Sequence, residues 1–215
     1  MLLLRHGQSE WNALGRWQGM ADSPLSTVGY DQATAIAVVL AAMDVDFGSV
    51  WSSDLSRARS TAEVIADALD LTEVMVDPNL REAHAGEWQG LTHADIRRDW
   101  PGYLEAHRRP PDFELYESVV ARAVEALANI SAHPSSATGA VIVVTHSGLI
   151  RSLLRDLAGT DPRVANLGGA WVDITRHADR VSGDVIDMFD PAAFDPAIRS
   201  DSADVLGEEP GAATL

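Results

Sequence analysis

Short apolar runs alternate along the chain with longer stretches whose apolar residues recur at helical spacing. Leu2–Leu4 reads as a brief buried strand. Ser26 then caps a helix in which Ala33, Ile36, Ala37 and Leu40 fall on one face. Val45–Trp51 predicts a second strand, Leu55–Leu69 a second amphipathic helix, and Val74–Val76 a short strand stopped by Asp77-Pro78. Residues 79–112 lose the periodicity. Gly86, Gly90, Pro101, Pro110 and Pro111 punctuate them, and short helices are expected only around Thr92–Asp99. Glu117–Ala132 restores a long helix, and Ala140–Thr145, with Val-Ile-Val-Val at its centre, is the best buried strand. A helix over Gly148–Leu157 follows, and Ala170–Thr175 with Val185–Phe189 suggests a closing hairpin. Strands alternating with helices predict an α/β domain with a mainly parallel sheet flanked by helices.

Composition narrows the chemistry. The chain has 215 residues, no cysteine, and 16 basic residues that are all arginine. Without cysteine there is no disulfide framework, no thiolate metal site and no thiol nucleophile. Without lysine there is no Schiff base and no lysine-bearing phosphate loop. Catalysis therefore has arginine, histidine, carboxylates and hydroxyls to draw on. The net charge of −16 argues against nucleic acid and anionic membrane as partners. No run approaches the roughly 20 apolar residues of a membrane span. Met1–Leu4 is also too short for the apolar part of a signal peptide, so a cytoplasmic protein is expected. From Val181 onward there are eight acids against one arginine. Residues 200–215 are expected to form an acidic, disordered tail to a domain spanning 1–199. Homodimer formation stays open.

In open α/β sheets, ligands bind beyond the carboxyl ends of the parallel strands. Three segments follow such ends here: Arg5-His6-Gly7-Gln8-Ser9-Glu10-Trp11-Asn12, Ser52-Ser53-Asp54-Leu55-Ser56-Arg57, and Thr145-His146-Ser147-Gly148. A single histidine after a strand is more often structural than catalytic. Two histidines and two arginines delivered to one sheet edge instead suit a phosphate group, because guanidinium forks match phosphate oxygens. His84, His93 and Asp95 have no standard metal-site spacing, and Trp88 and Trp100 read as packing residues. Arg59 and Arg81 add positive potential, although Arg59 suits a helix surface equally well.

These segments together resemble the histidine phosphatase (phosphoglycerate mutase-like) superfamily. The resemblance runs through Leu4–Asn12, Arg16-Trp17-Gln18-Gly19, Pro24-Leu25-Ser26, Ser53–Ala58, Leu80-Arg81-Glu82, Gly86–Gly90 and Val144–Gly148, in family order. It implies a three-layer sandwich of that family's kind. It also implies a phosphomonoesterase acting on a small phosphorylated metabolite through a phosphohistidine intermediate, with no metal and no cofactor. By resemblance His6 is the nucleophile, and Arg5, Arg57, His146 and Asn12 bind the phosphate oxygens. His6 must be neutral to attack, and the like charges of Arg5, Arg57 and His146 disfavour its protonation. Glu82 is the proton donor to the departing alcohol and then the acceptor from water. Gln18 and Gly19 lie near the substrate; Ser9 either touches phosphate or braces the turn.

Within the superfamily, Trp17-Gln18-Gly19 and Gly86-Glu87-Trp88-Gln89-Gly90 resemble the phosphatase branch. Arg108-Arg109-Pro110-Pro111 keeps a cofactor-dependent phosphoglycerate mutase open as an alternative, and a catalytically silent phosphometabolite-binding module is a second. One stretch departs from the family. Pro111-Asp112-Phe113-Glu114-Leu115-Tyr116-Glu117-Ser118 stands where phosphatases carry a Pro-Gly-Gly-Glu-Ser-like turn, with Glu117 and Ser118 in the expected places. Bulkier residues there predict a more apolar or narrower leaving-group pocket.

Overall fold

The computed structural model describes residues 1–178, 180–194 and 198. The acidic tail expected at 200–215 lies outside the described residues. Six strands form one sheet: β1 (Leu2–Arg5), β2 (Phe47–Ser52), β3 (Val74–Val76), β4 (Ala140–Thr145), β5 (Gly169–Arg176) and β6 (Val181–Phe189). Their order is β3-β2-β4-β1-β5-β6. The first four are mutually parallel, while β5 runs antiparallel to β1 and β6 antiparallel to β5. The helices are α1 (Glu10–Ala13), α2 (Thr27–Ala42), α3 (Ser56–Ala68), α4 (His93–Asp99), α5 (Tyr116–Ser131) and α6 (Ser147–Ala158).

Side-chain alternation along β1 divides the core. Leu2 and Leu4 pack with Ile36, Ala37 and Leu40 of α2 and with Ala58, Ala62 and Ile65 of α3. Leu3 points the other way, among Leu127 and Ile130 of α5 and Leu149 and Leu153 of α6. Two helices on each face make the three-layer sandwich. The chain leaving β1 passes to one face and the chain leaving β4 to the other. The crevice between these neighbouring strands is thus the switch point at which open α/β sheets bind ligands.

The elements depart from the apolar pattern in three places. First, β6 begins four residues before the expected Val185, because Val181-Ser182-Gly183-Asp184 alternates half-buried and exposed positions on an edge strand. Second, the four-residue helix α1 has no apolar periodicity to announce it. A capping box makes it, with the Ser9 hydroxyl accepting from the Asn12 N–H while the Asn12 side chain accepts from the Ser9 N–H. Third, α3 starts after Leu55, which has no capping side chain. Asp22, far away in sequence, accepts from the Ser56 N–H at 2.8 Å instead. Residues 85–113 carry α4 and, together with Trp17 from the loop after β1, build a small cluster in which Trp88 and Ile96 are fully buried and Trp17 and Ala85 nearly so. Among the described residues, no helix is long and apolar enough to cross a membrane.

Candidate active site

β1 and β4 lie side by side, and their carboxyl ends deliver His6 and His146 to the same point. The His6 N–H bonds the Thr145 carbonyl at 3.0 Å, and Asn166 holds the His6 carbonyl at 2.8 Å. The two imidazole rings meet edge to face with centroids 5.1 Å apart. Gly7 follows at a close approach, where a Cβ would come 2.7 Å from the Gly29 carbonyl oxygen of α2. A side chain there would push the loop off the helix.

His6 is 3% exposed. Its Nδ1 lies 2.6 Å from the Gly7 carbonyl, which only accepts, so the proton sits on Nδ1. Nε2 receives the Arg57 Nε–H at 3.2 Å and is therefore an unprotonated lone pair. Burial first, then the charges of Arg57 and Arg5, hold the His6 pKa well below the ordinary histidine value. His146 is fully buried and is lowered in the same way, by burial and then by Arg57. Among the described residues neither of its ring nitrogens has a hydrogen-bond partner.

Arg57 is fully buried, and three of its five N–H donors are engaged. Besides His6 it donates to the carbonyls of Ala21 (2.9 Å) and Gly19 (2.8 Å). Desolvation lowers its pKa to about 10, against the pull of Glu82 and Asp22, so it remains a cation at neutral pH. Arg5 reaches the Val164 carbonyl at 2.8 Å. Glu82 arrives from the segment after β3. Its Oε1 accepts from the N–H groups of Ala83 (2.8 Å) and Leu149 (3.2 Å), and its Oε2 from Gly148 (3.0 Å). The carboxyl group thus sits over the first turn of α6, whose otherwise unpaired N–H groups hold it in place. Oε2 accepts one N–H and keeps a lone pair for a proton. Gly148 is required here, because a Cβ would fall 2.4 Å from Oε1 of Glu82.

These groups open on a cavity of about 510 Å³ whose wall includes Arg5, His6, Asn12, Gln18, Gly19, Arg57 and Glu82. His146 lies behind the wall, against His6. Two of the residues expected near substrate have a bracing geometry. Ser9 is fully buried and absent from the wall; it donates to Oε1 of Gln18 at 2.7 Å and caps α1. The Gly19 carbonyl holds Arg57, and φ of +54° explains the glycine. Beyond the phosphate end the wall contains Trp17, Phe113, Leu115 and Tyr116, together with Arg16, Arg109, Arg151 and Arg155. The departing stretch therefore does contribute apolar side chains. Arg109 lies over the rings of Phe113 (5.3 Å), Trp17 (5.8 Å) and Trp88 (5.8 Å).

The remaining residues singled out by sequence fall to structural duties. Arg81 forks onto Asp54, and Arg59 pairs with Glu63 on the helix surface. Asp95 caps α4 with Thr92, His84 contacts the Asp112 carbonyl, and His93 packs beside Trp17. Among the described residues, no three histidines or carboxylates group as a metal site. Trp88 is fully buried packing. Glu117 and Ser118 are exposed at the start of α5; the acid that turns inward is Glu114, paired with Arg122. The two are only eight residues apart, and no sequence signal marks them because what the pair holds, the main chain around Glu82, lies 40 residues before Arg122.

Comparison with known proteins agrees with this geometry. Residues 1–171 match the family model described as Histidine phosphatase superfamily (branch 1). The glucosyl-3-phosphoglycerate phosphatase of Mycobacterium tuberculosis is 37% identical over 193 residues, covering 82% of this chain and 85% of the relative. A metal-independent phosphoserine phosphatase of Arabidopsis thaliana is 36% identical over 160 residues, 71% of this chain and 66% of the relative. The solved structure of a mycobacterial glucosyl-3-phosphoglycerate phosphatase in complex with VO3 superposes with a TM-score of 0.69 at 32% identity, covering 86% of this chain and 96% of that one.

Proposed function

We propose that this chain, which belongs to the histidine phosphatase superfamily, hydrolyses small phosphomonoesters without a metal ion, through a phosphohistidine on His6. The observation that carries the reading is the state of the two imidazoles. A neutral His6 with its Nε2 lone pair turned to Arg57 stands beside a buried His146 whose nitrogens lack partners. An unpaired buried polar group is costly, and a phosphoryl group held on His6 beside His146 gives a nitrogen of His146 a partner.

In the first step the Arg57 Nε–H turns from Nε2 to a phosphate oxygen, the freed Nε2 lone pair attacks phosphorus, and the P–O ester bond breaks. The electron pair leaves on the alcohol oxygen, which takes a proton from Glu82. In the second, water attacks the phosphohistidine and gives its proton to the Glu82 carboxylate. The P–N bond breaks and its electrons return to Nε2. Arg5, Arg57, His146 and Asn12 hold the non-bridging oxygens, and the fixed guanidinium charge stabilises the transferring group as metal ions do elsewhere. Gln18 and Gly19 border the leaving group from the cavity wall, Gly19 also holding Arg57, and Ser9 supports Asn12 and Gln18.

Residues 1–199 act as one catalytic domain on cytoplasmic metabolites in this reading. The names of the relatives make glucosyl-3-phosphoglycerate and phosphoserine the first esters to assay. The expected result is p-nitrophenyl phosphate hydrolysis that persists in chelator and disappears in His6→Ala. A phosphorylated protein stable to alkali and labile to acid should be trapped by rapid quench. Loss of activity in chelator would overturn the metal-free mechanism. Isomerisation of 3-phosphoglycerate primed with bisphosphoglycerate, without release of phosphate, would assign the chain to the mutases.

A further inference from the structure

Arg122 stands on α5 outside the cavity wall and is turned inward. It and Glu114 are each only 15% exposed. Arg122 donates to both carboxylate oxygens of Glu114, through Nε at 2.8 Å and Nη2 at 3.0 Å. Its other bonds all go to main-chain carbonyls: Asn79 (2.8 Å) and Arg81 (2.6 Å) through Nη1, and Glu82 (3.0 Å) through Nη2. Glu114 completes the grip. Its carboxylate accepts from the His84 N–H at 3.0 Å, and its own N–H donates to the His84 carbonyl at 2.9 Å. The main chain is thus held at 79, 81, 82 and 84, on both sides of Glu82.

A guanidinium suits this position because its planar fork can serve a carboxylate and several carbonyls at once; one ammonium cannot. The opposite end of the Glu82 side chain is held by α6. We infer that Arg122, backed by Glu114, is a positioning residue that sets where Glu82 meets the leaving group. The inference rests on Glu82 as the proton donor. It goes beyond that role by naming what fixes the donor's main chain. Arg122 is absent from the cavity wall and bonds neither His6 nor His146, although its charge is felt at His146; its hydrogen bonds reach the site only at the main chain around Glu82.

The test uses leaving groups. An alkyl phosphate needs a proton on its departing oxygen, whereas p-nitrophenyl phosphate departs without one. The value of kcat/KM reports histidine phosphorylation, the step in which the leaving group is lost. In Arg122→Met, kcat/KM for phosphoserine should fall about 10²-fold, the order expected when a catalytic group is misplaced by about 1 Å. The value for p-nitrophenyl phosphate should fall far less, so the dependence of rate on leaving-group basicity steepens. Glu82→Gln should steepen it in the same sense, and the double variant should be no slower on phosphoserine than Glu82→Gln alone. Arg122→Lys keeps a cation and tests the fork, with an intermediate slope expected.

The outcomes separate the two readings. A slope unchanged in Glu82→Gln would overturn the donor role and the positioning role with it. A steeper slope in Glu82→Gln, with equal losses on both esters in Arg122→Met and Arg122→Lys, would overturn only the role of Arg122.

Discussion

His6 and His146 lie within contact of each other and of Arg57, with burial and neighbouring cations both pushing their pKa values down. The consequence for activity has a definite sign. A nucleophile whose pKa is lowered stays unprotonated below the ordinary histidine range. Once substrate ionisation is corrected for, kcat/KM should therefore show no acid limb near pH 6.5, the break falling lower. The consequence for stability runs the same way. Both histidines are neutral in the folded state and free to protonate in the unfolded one. Their contribution is fully present above about pH 6.5, the unfolded value, and is lost as pH falls from there toward the folded pKa. Urea midpoints at constant salt should drop between pH 7 and 5, and a flat profile would contradict neutral burial. Much of this site is legible residue by residue: Arg5, His6, Arg57, His146 and Glu82 each follow a strand or sit in a short motif. Ser9 and Gly19 are legible as to place but not as to duty, because bracing and substrate contact require the same position.

Among the elements, α6 bears most directly on the reaction. Its first turn presents the N–H groups of Gly148 and Leu149 to Glu82, and the absence of a Cβ at Gly148 leaves room for the carboxylate. Gly148→Ala should displace that carboxylate and lower kcat/KM on alkyl phosphates by on the order of ten- to a hundredfold, given the sensitivity of catalysis to placement. Stability should hold, because alanine is the better helix former and the obstructing atom ends a flexible side chain. A melting scan beside the kinetics checks both halves; a large fall in Tm with activity intact would refute the account. Helix periodicity disclosed α2, α3, α5 and α6 to within a residue or two, since each buries one regular face. It could not disclose α1, made by hydrogen bonds, or the first half of β6, where serine, glycine and aspartate occupy an edge. The Arg122–Glu114 pair escaped for a related reason. It is a tertiary contact whose members look like ordinary polar residues of a helix and a loop.

For the molecule as a whole, charge is distributed against its total. A chain of net charge −16 lines one cavity with six arginines, among them Arg5, Arg57, Arg16 and Arg109. Arg5 repels Arg57 at the phosphate end, while Asp161 already pairs Arg151 and Arg155, so a bound anion relieves the Arg5–Arg57 repulsion above all. Orthophosphate should therefore raise Tm, by an amount that grows with its concentration as mass action requires. Sodium chloride at equal ionic strength should not reproduce the shift. Equal shifts from both salts would argue that general screening, not occupancy, is at work.

The small apolar cluster built on residues 85–113 also has a bearing on how such a protein changes over time. It is packed apart from the two faces of the sheet, and its stretch of chain supplies Phe113 and Arg109 to the mouth of the cavity, whereas the phosphate-binding arginines and both imidazoles stand on the sandwich. Part of the alcohol's recognition is thereby inherited apart from the phosphate site, whereas Trp17 and Gln18 travel with His6 on the loop after β1 and Glu82 travels with the segment after β3. A lineage can remodel the mouth for a new diet of metabolites as far as those shared residues allow, and a chimaera grafted at 84–113 would show how freely the two can be recombined.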